Sequence, residues 1–159
     1  MRKRYVGLLL VGMLGCTQED GTLPSSVTIT NAGRYRLADQ VVSCQASATS
    51  GYILSSTDST ESISVDLTAI AAPSPNSSPY LSLDFHRSAS QPGAPYELEL
   101  VMYLDGDNNT PPEFPDNVVA TLHEMSPGVV SGTFSTNKPG QYSFSEGSFT
   151  NVHVRPPGN

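Results

Sequence analysis

Residues 118–136 read Val-Val-Ala-Thr-Leu-His-Glu-Met-Ser-Pro-Gly-Val-Val-Ser-Gly-Thr-Phe-Ser-Thr, and their pattern decides the fold class. Two strand-like runs, 118–125 and 129–136, flank Pro127-Gly128, a pair that favours a tight reversal. In the second run Val130, Gly132 and Phe134 share one face at a period of two, the spacing of a half-buried strand. Gly132 in that face leaves room for a close neighbour or a bulge.

The same texture extends in both directions. Downstream, 141–145 and 148–154 read as strands. Upstream, 80–87 points Leu81, Leu83 and Phe85 inward and Ser82, Asp84 and His86 outward, and 96–104 offers Leu98, Leu100 and Met102 as its apolar face. Nearer the start, 26–30 alternates through Val27 and Ile29. Residues 34–37 and 40–46 form a hairpin around Ala38-Asp39, a strand follows at 52–56, and 62–70 aligns Ile63, Val65 and Leu67. The helix-like cluster 69–72 stops at once at Pro73 and Pro75, and 72–79 is a loop rich in Pro, Ser and Asn. About nine or ten short strands bounded by turn residues predict an all-β fold. The expected form is a single antiparallel β-sandwich over 27–155, with a flattened β-barrel as the alternative and 156–159 as a disordered tail.

Residues 118–154 also carry a family resemblance. The core Gly128-Val129-Val130-Ser131-Gly132-Thr133-Phe134-Ser135, followed by Glu146-Gly147-Ser148-Phe149, resembles the C-terminal signature of a family of small all-β lipoproteins with no settled function. The resemblance implies architecture and is silent on activity.

A second resemblance lies in the first residues. Arg2, Lys3 and Arg4 precede an apolar run at 5–14, too short to span a bilayer as a permanent helix. The run closes on Met13-Leu14-Gly15-Cys16, which resembles the lipobox of bacterial lipoproteins. That likeness implies a signal peptide at 1–15, lipid on Cys16 with palmitate among its acyl chains, and a flexible acidic tether at 16–26. An ordinary signal peptide with an incidental cysteine is the alternative. Two or more acyl chains hold a soluble domain on a membrane, each methylene contributing about 0.8 kcal/mol. Thr17-Gln18-Glu19-Asp20-Gly21 is similar to an export signal of surface-exposed lipoproteins in one group of Gram-negative bacteria. A plain solvated linker reads equally well there. The implied location is the outer membrane, facing the cell surface or the periplasm.

Beyond Cys16 the chain carries five basic residues against fifteen acids, a net charge of about −10. That excludes nucleic acid, which needs cationic contacts to phosphate, and a polybasic grip on anionic lipid. The chain left after position 15 suits one domain, expected to be monomeric. The absence of tryptophan and the few charged residues suit a secreted β-rich protein.

The best candidate for chemistry is the segment 105–116. Asp105, Asp107 and Asn109 alternate as in a calcium loop, and Glu113 and Asp116 fall at later ligand positions of the twelve-residue scheme. Thr110 replaces the glycine of its sharp turn, and Pro111, Pro112 and Pro115 deny flanking helices, so a plain polar turn is the competing reading. With Cys16 lipidated, Cys44 has no partner and reads as a small buried hydrophobe rather than a nucleophile. His86, His123 and His153 show no metal spacing, and His123-Glu124 is only a fragment of one. Ser135-Thr136-Asn137-Lys138 spells an acylating motif, but Pro139-Gly140 places it in a turn instead of a helix. Tyr80, Tyr96 and Tyr103 could line a glycan platform or simply fill strands. Asp58-Ser59-Thr60 resembles a short O-glycosylation acceptor. The expected function is a non-catalytic binding or structural module, anchored to a membrane, with a protein or glycan partner. A calcium-stabilised module and a small hydrolase or metal enzyme are the alternatives.

Overall fold

The computed structural model describes residues 31–54, 59–70, 78–107, 109–138, 140 and 142–156. The lipobox with Cys16, the export-like segment, the run at 26–30 and the tail at 157–159 lie outside the described residues, as does Asp58. The fold is all-β. Its eight strands are β1 (Ala32–Leu37), β2 (Gln40–Leu54), β3 (Ser59–Ala69), β4 (Tyr80–Ser88), β5 (Glu97–Leu104), β6 (Val118–Ser126), β7 (Val129–Thr136) and β8 (Phe144–Arg155).

They form one continuous sheet in the order β5-β4-β3-β2-β1-β8-β7-β6, curled as a half-barrel. The two layers expected of a sandwich are the two limbs of this sheet, which press their inner faces together. Leu67, Leu81, Leu83 and Phe85 from one limb and Val130, Phe134, Phe149 and Val152 from the other are almost wholly buried in one cluster. Phe85 and Phe149 meet across it with ring centroids 6.4 Å apart. Full burial of each such side chain is worth about 1.5–3 kcal/mol. The edge strands β5 and β6 approach each other without pairing.

Every neighbouring pair in that order is antiparallel. The chain therefore enters β1 at Asn31 at the same end of the sheet where β8 finishes, together with the β2–β3, β4–β5 and β6–β7 connections. The other four connections, the 105–117 segment among them, gather at the opposite end. Beyond the start of β1 the sheet closes behind the strand: Ala48 and Thr49 of β2 pair in parallel with Val154 and Arg155 of β8.

The described strands are fewer than the nine or ten expected, because two expected breaks do not occur. Residues 40–46 and 52–54 belong to one strand that is 15 residues long, and 55–56 lie outside the described residues. Ala46 and Ala48 keep the period of two through a stretch of small residues and are both buried. Likewise the expected break between 145 and 148 does not occur: β8 runs through it from Phe144, Glu146-Gly147 forms a bulge rather than a turn, and β1 shifts register between Arg34 and Arg36. Glu146 has φ of 53°, a left-handed conformation common at such bulges.

The Pro127-Gly128 and Ala38-Asp39 reversals form as read, with Gly128 at φ 73° and Ala38 at φ 52°. Leu81, Leu83 and Phe85 point inward as expected. In β5 the expected face holds at Leu98, which packs against the core, and changes beyond it: Val101 and Tyr103 are buried, whereas Leu100 is 42 % exposed. A register shift opposite Asp84 and Phe85 passes over Glu99 and exchanges the faces of the strand.

Candidate functional site

The segment proposed for calcium is arranged around its own backbone. Asp107 N donates to Asp105 Oδ1 at 2.8 Å. Asn109 donates to Asp107 Oδ1 from its backbone N at 3.0 Å and from Nδ2 at 3.2 Å. These are Asx turns, which stabilise a loop without a ligand. Glu113 sits elsewhere, exchanging backbone hydrogen bonds with Tyr103 on the edge of β5. Asp116 is exposed beside a narrow cleft shared with Phe114 and Tyr142. Among the described residues no three His, Cys, Asp or Glu side chains gather to hold a metal ion.

The other sequence candidates also lie apart. Cys44 is buried in the core, and burial pushes its thiol up to about 12, which leaves it protonated and a poor nucleophile. Tyr96 and Tyr103 are buried, and Tyr80 donates its hydroxyl to Asp66 Oδ1 at 2.5 Å. The three form no exposed platform. Ser135 lies on β7, not at the start of a helix. His123 and His153 are exposed. His86 lines a cleft with Thr60, Ser88 and Glu97, the nearest approach to a catalytic set. Its Nδ1 stands 3.6 Å from Glu99 Oε2, beyond hydrogen-bond reach, and Ser88 Oγ is engaged with Ser90 Oγ at 2.8 Å.

Two arrangements were not visible in the sequence reading. At the end of the sheet where the chain enters, Glu61 and Arg87 continue the inward-facing parity of β3 and β4 beyond the last apolar residues. Arg87 Nε donates to Glu61 Oε2 at 2.8 Å, Tyr96 OH donates to Glu61 Oε1 at 2.7 Å, and the guanidinium lies 4.2 Å above the Tyr96 ring. Burial acts to raise the Glu61 pKa. The two hydrogen bonds and the Arg87 charge outweigh it and hold the carboxyl below its usual value. This trio closes the core. Extending the odd-numbered parity of Ile63, Val65 and Leu67 back to Glu61, and that of Leu81, Leu83 and Phe85 on to Arg87, is the signal that finds it.

The second arrangement is on the outer face of β6, β7, β8 and β1, where a shallow trough is lined by Arg34, Val119, Thr121, Thr133, Ser135, Glu146 and Ser148. Register places these side chains in cross-strand rows. Thr121 pairs with Thr133, Thr133 with Ser148, and Ser148 with Arg34, so three hydroxyls lead to a guanidinium. Thr121 Oγ1 and Thr133 Oγ1 lie 2.9 Å apart. The adjoining row runs from Val119 to Ser135, and the β8 bulge brings Glu146 near Arg36, with Nε and Oε1 3.7 Å apart. A second cleft lined by Arg34, Arg36, Val41 and Glu146 continues the trough towards β2.

Compared with protein-family models, with curated proteins and with solved structures, the chain matches none. Its function is therefore argued from its residues.

Proposed function

We infer that this chain is a bacterial lipoprotein of the small all-β type that its C-terminal signature resembles. In this reading lipid on Cys16 anchors it to the outer membrane, and its β domain is a non-catalytic binding or structural module. The order of residues 2–16 carries the reading: a basic head, an apolar run too short to span a bilayer, then a small residue and a cysteine. No helix among the described residues is long and apolar enough to cross a membrane, which leaves the question of a lipid anchor open to direct measurement. Residues 17–26 would give the domain a reach of roughly 35 Å from the anchor at full extension. The non-catalytic part is supported by the buried thiol of Cys44, by the 3.6 Å between His86 Nδ1 and Glu99 Oε2 and by the engagement of Ser88 Oγ with Ser90 Oγ.

The test is intact-mass analysis of the protein extracted from membranes, alongside protease shaving of whole and lysed cells. A diacylglycerol-sized mass on Cys16 with cleavage from outside supports a surface lipoprotein. The same mass with protection until lysis places the module in the periplasm, and an unmodified Cys16 overturns the anchor.

A further inference from the structure

We propose that the trough across β6, β7, β8 and β1 binds an acidic polysaccharide, a glycan chain bearing uronic-acid carboxylates. The proposal names the ligand class of the binding module inferred above and rests on that reading.

Charge selects this face. The chain beyond Cys16 is strongly acidic, yet the trough and its continuation carry two guanidinium groups, Arg34 and Arg36, against one carboxylate, Glu146. Arg36 faces Glu146. Arg34 is exposed and makes no ion pair or side-chain hydrogen bond among the described residues. An exposed guanidinium with a planar fork of donors is suited to a carboxylate.

The hydroxyl row selects a sugar. Thr121, Thr133 and Ser148 stand in register beside Arg34, each able to donate and to accept, as sugar hydroxyls also do. Adjacent strands are about 4.8 Å apart, a repeat close to the length of one residue in an extended glycan chain. A chain lying across the strands would meet one hydroxyl per strand and place its carboxylate at Arg34. Val119, 45 % exposed at the edge of the trough, offers an apolar patch to a sugar ring. Glu146 repels a carboxylate placed one row away and so limits where the acidic sugar can sit.

The full chain in non-ionic detergent would be titrated with polygalacturonate, neutral dextran and poly-glutamate. Polygalacturonate binding that weakens with salt is expected, with dextran and poly-glutamate much weaker. Arg34→Ala should weaken binding by at least about tenfold, Thr133→Val by a few-fold, and Glu146→Gln should tighten it. Lys138→Ala, in the β7–β8 connection outside the trough lining, should leave it unchanged. Each variant's melting temperature establishes that it is folded. No binding of polygalacturonate, equal binding by Arg34→Ala, or an equal loss in Lys138→Ala overturns the proposal. Poly-glutamate bound as tightly as polygalacturonate overturns its glycan part. None of these outcomes bears on the mass of Cys16, so the anchor stands or falls separately.

Discussion

Glu61 and Arg87 face each other in register across β3 and β4, joined by a 2.8 Å hydrogen bond whose two side chains are 19 % and 13 % exposed. Because the folded state holds the Glu61 carboxyl below its ordinary value of 4.5, the pair contributes stability above that value. The contribution is lost as pH falls through the lower, folded-state pKa. Thermal melts should therefore show the melting temperature falling below pH 4.5. Glu61→Gln should lower stability at neutral pH by about 1–3 kcal/mol and flatten that acid slope. An unaltered slope in the variant would mean that Glu61 does not supply it.

Tyr35 is 1 % exposed, yet its hydroxyl has no hydrogen-bond partner among the described residues. Its ring packs against Phe134 and Phe144 at centroid distances of 6.0 and 5.7 Å, so the ring and the hydroxyl act in opposite directions. Tyr35→Phe should leave stability unchanged or raise it by up to about 1 kcal/mol, whereas Tyr35→Ala should cost about 3–5 kcal/mol. Urea unfolding measures both. A loss of more than about 1 kcal/mol in the Phe variant would show that the hydroxyl is satisfied.

Cys44 should resist alkylation. Burial keeps its thiol protonated at neutral pH, and the thiolate is the reacting species. Iodoacetamide at mildly alkaline pH should leave the Cys44 peptide unmodified in the native protein and label it fully in guanidinium. Labelling of the native protein at the rate of an unfolded peptide would contradict the burial described here.

Three glycines should rank in a defined order. A Cβ at Gly132 would fall on the Thr121 carbonyl oxygen and the Phe149 ring, and backbone cannot move aside cheaply. Gly132→Ala should cost at least about 2 kcal/mol. Gly128 has open space but a left-handed φ of 73°, so Gly128→Ala should cost about 1 kcal/mol. Gly93 meets nothing, and its variant should stay within about 0.5 kcal/mol of the parent. Chemical denaturation of the three variants checks the order.

Much of the fold was legible because alternation reports which face of a strand is buried. Leu81, Leu83 and Phe85, or Val130 and Phe134, disclose their core face from parity alone. What alternation cannot report is where parity changes. The shift that passes over Glu99 exposes Leu100 and buries Val101, and no residue type marks it. At Gly147 a glycine that reads as a turn residue is buried in mid-strand, where a Cβ would lie 2.6 Å from the Phe134 ring. The trough was less visible still. Thr121, Ser148 and Arg34 become neighbours only through register across strands distant in sequence, while the alternating acids of 105–109, conspicuous in the sequence, turn towards their own backbone.

The placement of β1 has a mechanical consequence. The first strand, β1, is clasped on both sides, by β2 and by β8, which pair with each other beyond its start. A pull along the axis of β1 therefore loads two hydrogen-bond ladders in shear, all at once, instead of peeling an edge strand one bond at a time. Forced unfolding is governed by the height of the barrier that must be crossed, and shear loading of a central strand sets a high one. If the proposed tether pulls there while the outer face holds the proposed glycan, the load falls on a strand held from both sides.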